Sequence, residues 1–160
     1  MLIFSKGKEE NQKPQIRKLI EENFFVIDSY NLENIQSHMY DFCISKKGIL
    51  TNNYYNEKGY YEEPESQGAF IMIRKKGNKI KINQDYNGSY GLFFFEKKEK
   101  NYFAISNSFL LLFEHLMGKQ KLTLNKDFAD NFIISYLYSP SIYETMIKEI
   151  TKLPTDIIIS

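Results

Sequence analysis

The chain has one thiol, Cys43, and two imidazoles, His38 and His115. A nucleophile needs a base beside it, and a metal site needs several ligands at close spacing. Neither histidine has a cysteine, histidine or carboxylate at metal-ligand spacing, so no metal site is expected and no catalytic residue is assigned. Cys43 reads as a buried, inert thiol, because free cysteines usually pack as small core hydrophobes. Glu62, Glu63 and Glu65 could hold a cation, but an acidic loop is ordinarily just solvated. Arg74-Lys75-Lys76 and Lys97-Lys98 fall where hairpin turns are expected, and charge there discourages edge pairing. Lys76-Gly77-Asn78-Lys79 lacks the spacing of a phosphate-binding loop. The clearest local geometry belongs to Asp85 and Gly88. A carboxylate at position 85 can accept backbone N–H bonds in a tight turn, and glycine three residues on can take a positive φ.

The elements that would position these groups can be read from periodicity. Pro14 opens a helix carrying Ile16, Leu19 and Ile20 on one face. Residues 24–27 fit a buried strand, and residues 39–44 and 49–55 fit two more around a turn at 46–48. Residues 56–67 are polar and acidic and contain Pro64, as a surface loop would. Residues 69–73 are an apolar strand, residues 75–78 a hairpin turn, and residues 79–83 an alternating strand with Ile80 and Ile82 on one face. Residues 92–95 and 102–105 form the next pair. Ser106, Asn107 or Ser108 then caps a helix bearing Phe109, Leu112, Phe113 and Leu116, which Gly118 ends. Asn125 caps another, with Phe128, Phe132, Ile133 and Tyr136 inward, and Pro140 closes that region. Antiparallel hairpins followed by helices predict a layered α+β domain.

Bulk properties exclude several classes. A chain of 160 residues with 42% hydrophobic and 26% charged side chains suits one globular domain with its own core. Twenty-one basic groups against 20 acidic ones give a net charge of +1, so no global field attracts nucleic acid or an anionic membrane. No apolar run reaches the roughly 18 residues of a membrane span. Met1-Leu2-Ile3-Phe4 lacks the basic start of a secretory signal. One cysteine and no leader predict a cytoplasmic protein.

Four segments, in order, resemble the end of the N-terminal glutamine amidotransferase domain of asparagine synthetases. Gly68 to Ile73, with Phe70, resembles the family's Gly-x-Phe-Ala-Phe strand. Residues 82–94, with Asp85, Gly88 and Leu92, resemble its Ala-Arg-Asp-Arg-x-Gly-x-x-Pro-Leu-Tyr-Tyr segment. Phe103-Ala104-Ile105-Ser106 followed by Leu110, Leu111 and Leu112 resembles its Phe-Ala-Ser-Glu-x-x-Ala-Leu junction. Residues 145–154, ending in Leu153-Pro154, resemble its Thr-(Leu/Ile)-Phe-x-x-Ile-x-x-Leu-Pro. The likeness covers residues 68–160; residues 1–67 form a divergent half of the same single domain. Gln84 and Tyr86 stand where the family has arginines, and Gly91 where it has proline.

The resemblance implies an Ntn-type αββα sandwich of two stacked, mainly antiparallel sheets, with the N-terminal half shortened. It also implies what is missing. The family's glutaminase uses a cysteine exposed at position 2, and here residue 2 is Leu. The Ser-Asp-(Thr/Gly)-Glu and Asn-Gly-Glu tracts are absent too, Asn52-Asn53 being a poor stand-in. Cleavage before Cys43 would expose Cys43-Ile44-Ser45, but too few residues would then precede Gly68 for the glutamine-binding strands. The function implied is a non-catalytic domain supporting an asparagine synthetase-like, ATP-dependent amide ligase. The alternative is a stand-alone binding or interaction module on the same fold. No cofactor is implied for this chain; ATP and magnesium would belong to a synthetase domain, in cis or in trans, with a homodimer as a further assembly. The apolar run Ile157-Ile158-Ile159 is expected to be a strand continued or covered by a partner.

Overall fold

The computed structural model describes residues 23–45, 48–51, 67–76, 79–134 and 143–155. The predicted helix after Pro14, the loop at 56–66, the turn at 77–78 and the terminal run at 156–160 lie outside them. The described residues form a mixed α+β structure with two antiparallel four-stranded sheets and two helices.

The first sheet has the order β1-β7-β6-β8, from Val26–Asp28, Tyr102–Ser106, Phe93–Lys97 and Ile150–Lys152. The second has the order β3-β2-β4-β5, from Gly48–Thr51, His38–Ser45, Gly68–Lys76 and Lys79–Gln84. Helix α1 is Phe109–Leu116 and helix α2 is Lys126–Ile134.

Alternation along the strands assigns every core layer. Ile71 and Ile73 of β4 face Ile27, Ile105 and Leu92 in a cluster that joins the two sheets, together with Tyr40 and Ile82. The intervening Phe70 and Met72 point to the other face of the second sheet, where they pack with Met39, Cys43 and Leu50. β4 is therefore buried on both faces, and its sequence is a continuous apolar run instead of an alternating one. On the first sheet Phe94 and Phe103 turn toward the inter-sheet cluster. Phe95, Tyr102 and Ala104 turn outward against Leu112 and Leu116 of α1. Each of these fully buried Leu, Ile or Phe side chains stabilises the fold by about 1.5–3 kcal/mol.

Helix α1 starts where Ser108 leaves the extended backbone and its hydroxyl accepts the Leu111 N–H at 3.4 Å. It ends before Gly118, whose φ is +77°. Asn125 does the same for α2, its side-chain oxygen accepting the Phe128 N–H at 3.4 Å.

The sequence-based elements need two corrections. Arg74 and Lys75 are not turn residues: β4 runs on to Lys76, which pairs with Lys79. Arg74 is buried, and its guanidinium donates to Asn83 Oδ1 on β5 at 2.8 Å. β8 is a short strand that periodicity did not reveal, held to β6 by Phe95↔Ile150 pairing.

Candidate functional site

The Asp85–Gly88 turn and the Leu153–Pro154 segment are far apart in sequence, and the structure brings them together. Asp85 is fully buried. Its carboxylate accepts the Phe70 N–H at 3.3 Å and the Ser89 N–H and hydroxyl at 3.2 and 3.0 Å. Its own N–H donates to the Phe70 carbonyl, and its carbonyl accepts the Gly88 N–H, both at 3.1 Å. The turn is thereby bolted to β4.

Gly88 has φ +62°, and a Cβ there would meet Thr155 Cγ2 at 2.6 Å. Glycine is favoured on both counts. Gln84, buried beside this turn, donates from Nε2 to the Pro154 carbonyl at 2.8 Å. Leu153 N–H donates to the Leu92 carbonyl at 2.7 Å. These contacts frame a cavity of about 300 Å³ between the turn and the end of β8. Tyr90, Tyr143, Leu153 and Pro154 supply apolar surface to it, and Asn87, Thr155 and Lys152 supply polar groups.

Tyr90 is held from behind. Its phenol donates to Asp41 Oδ2 at 2.6 Å, and this bond, reinforced by burial, pushes the phenol up to about 12. Asp41 sits within β2 at φ +65°, a conformation that costs a non-glycine residue about 1–3 kcal/mol. Such strain at a residue gripping the cavity wall marks the region as a candidate site.

The remaining motif residues are spread through the packing. Gly68, at φ +118°, approaches β2 so closely that a Cβ would lie 2.5 Å from the Phe42 carbonyl oxygen. Phe70 is in the outer cluster of the second sheet, and Leu92 is in the inter-sheet core. Ser106 ends β7 fully buried, its hydroxyl accepting the Ser108 N–H at 2.9 Å. Thr145 is also buried and lies 2.7 Å from the Ile150 carbonyl, shaping the approach to β8. Cys43 is fully buried in β2, and burial pushes its thiol up, away from the nucleophilic thiolate. His38 stacks edge-on against Tyr40 with ring centroids 4.4 Å apart, and burial lowers its affinity for protons. Among the described residues no three His, Cys, Asp or Glu side chains gather as a metal site would require.

A second polar cluster escaped the sequence reading. Asp28, at the end of β1, places Oδ2 2.8 Å from His115 Nε2 in the last turn of α1. Tyr102 OH is 3.5 Å from the same oxygen and 3.4 Å from the imidazole. Asp28 Oδ1 accepts the Tyr30 and Asn31 N–H groups at 2.9 and 3.0 Å. Burial opposes ionisation of Asp28, but these N–H bonds and His115 outweigh it and hold the carboxyl below its ordinary value. Burial and the neighbouring Asp28 charge push the Tyr102 phenol up to about 12. Asp28 and His115 are 87 residues apart, so no local spacing could have signalled the pair. The only hint is that periodicity puts His115 on a helix whose Leu112 and Leu116 face a sheet.

No family model, curated protein or solved structure matches the chain. No helix among the described residues is long and apolar enough to cross a membrane.

Proposed function

We propose that this chain is a non-catalytic, amidotransferase-like domain of the Ntn type, which supports an asparagine synthetase-like amide ligase. The observation that carries the reading is the convergence of two motif segments. Asp85–Gly88 and Leu153–Pro154 resemble the family in sequence order, and they meet at one edge of two stacked antiparallel sheets. Asp85 and Gly88 act there, and Gly68 and Ser106 elsewhere in the packing, as structural residues, which suits a domain whose scaffold outlasted its chemistry. Leu at position 2 and the buried Cys43 leave the glutaminase reaction without an exposed thiolate. ATP and magnesium would be bound by the synthetase domain, in cis or in trans, and not by this one.

The test is to read the gene past the codon for Ser160 and to isolate the native protein with whatever binds it. An in-frame Ser-Gly-Gly-x-Asp loop, or a co-purifying protein that carries one, is the expected result. A protein isolated with neither would sink the reading and leave the stand-alone binding module. Ammonia release from glutamine by the purified chain would contradict the non-catalytic part.

A further inference from the structure

We propose that the cavity between the 84–90 turn and the end of β8 binds a small organic monoanion with a flat apolar body, its charge held by Lys152. The inference rests on the cavity alone and does not depend on the synthetase reading. At about 300 Å³ the space lies at the lower end of the range for small-molecule sites. Its described lining contains one charged residue, the cation Lys152, and no carboxylate. A cationic ligand would find no counter-charge in that lining.

Two carboxylates do lie behind Tyr90, and their bonding matters. Asp85 is committed to Phe70 N–H and to Ser89, and Asp41 to the Tyr90 phenol. Neither lines the cavity. Both charges are felt at the Tyr90 phenol, and Lys152 is the one charged group in the described lining that a ligand can touch.

The walls fix the rest of the ligand. Tyr90 and Tyr143 bring aromatic side chains to the lining, and Leu153 and Pro154 add aliphatic surface. An inorganic oxyanion would satisfy Lys152 but leave those rings uncovered, whereas a flat carboxylate uses both. The frame is also set in advance. Asp41 fixes the Tyr90 ring, and the Gln84 amide is already bound to the Pro154 carbonyl. A preformed site loses less entropy on binding.

The experiment is an NMR titration of the amide groups of Gly88, Lys152 and Thr155 with benzoate, its neutral isostere benzamide, and inorganic phosphate. Benzoate should give saturable shifts at these three positions, with benzamide and phosphate each weaker by roughly tenfold or more, as loss of a charged hydrogen bond or of the apolar contact predicts. Lys152→Met should reduce benzoate to the level of benzamide. Lys152 is an exposed residue of β8, so the variant should fold, and the dispersion of its amide spectrum checks this. Lys152→Gln serves if it does not. Equal binding of benzoate and benzamide, phosphate binding as tight as benzoate, a charge preference that survives loss of Lys152, or no saturable shift at these positions would each overturn the proposal.

Discussion

Two buried aspartates organise this molecule, and they do so by different means. Asp85 is fully enclosed and is satisfied by backbone N–H groups and one hydroxyl, all neutral, from its own turn and the adjoining strand. Asp28 keeps a small opening to solvent and shares its second oxygen with an imidazole and a phenol carried by α1 and β7. The first carboxylate fixes the shape of a turn. The second joins an edge strand to a helix. Their difference shows that a buried charge can be neutralised by dipoles within a local motif or by titratable groups across layers. Only the second arrangement ties packing directly to the protonation of its partners.

The contrast can be tested first at Asp85. Asp85→Ala leaves the buried Phe70 N–H without its acceptor, at about 1–3 kcal/mol, whereas the N–H of exposed Ser89 can turn to water. A loss of about 2–3 kcal/mol in urea denaturation is expected. A loss under about 1 kcal/mol would mean that the turn is held by its other bonds.

A smaller effect is expected at the closing glycine of that turn. Gly88→Ala forces a side chain into the left-handed region, costing about 1–2 kcal/mol, and presses it against Thr155. Adding Thr155→Ser removes the clashing methyl, so the double variant should recover the steric part and retain the conformational part. Equal stability of the single and double variants would show that Thr155 moves aside without cost.

The Asp28 cluster should respond most mildly at neutral pH but differently as pH changes. Asp28→Asn keeps the shape while removing the charge, and should cost about 1–2 kcal/mol at pH 7. Because the folded protein depresses the Asp28 value below its usual 3.8, the ionised form contributes fully above that value. The contribution disappears as pH falls through the lower folded value. The gap in urea midpoint between wild type and Asp28→Asn should therefore hold from pH 5 down to about 3.8 and narrow as the pH falls further below that value. A gap that does not narrow at any pH below 3.8 at which the protein stays folded would remove the carboxylate charge from the account.

What could be read in advance follows the same division between local and distant. The β4–β5 and β6–β7 hairpins, the Ser108 and Asn125 caps and the Asp85–Gly88 turn all depend on residues a few positions apart. Periodicity and turn chemistry reach that far. Arg74 was misread because a cation at the end of an apolar run resembles a turn residue. Its acceptor, Asn83, becomes a neighbour only once β4 and β5 are paired. Ile150–Lys152 is too short to show alternation, so β8 could be recognised only from the strand it joins. Asn107 ties the entry to β1 through a 2.9 Å bond from the Phe25 N–H, and those two residues are 82 apart. The cavity is assembled from the same kind of distant contacts.

The order of strands also has a consequence in time. In the second sheet β2 pairs with β3 and β4 with β5, each its chain neighbour, and β2 with β4 only one strand further on. The first sheet cannot be completed until β1 meets β7, a pairing that spans most of the described chain. Closing so long a loop carries an entropic cost before any contact compensates it. Loop length alone predicts that the second sheet forms early and that β1 docks later, with Asp28 reaching His115 near the end of the reaction. An interaction formed after the transition state governs how slowly the native protein opens, with little influence on how fast it forms. The Asp28–His115 contact is on this account a brake on unfolding.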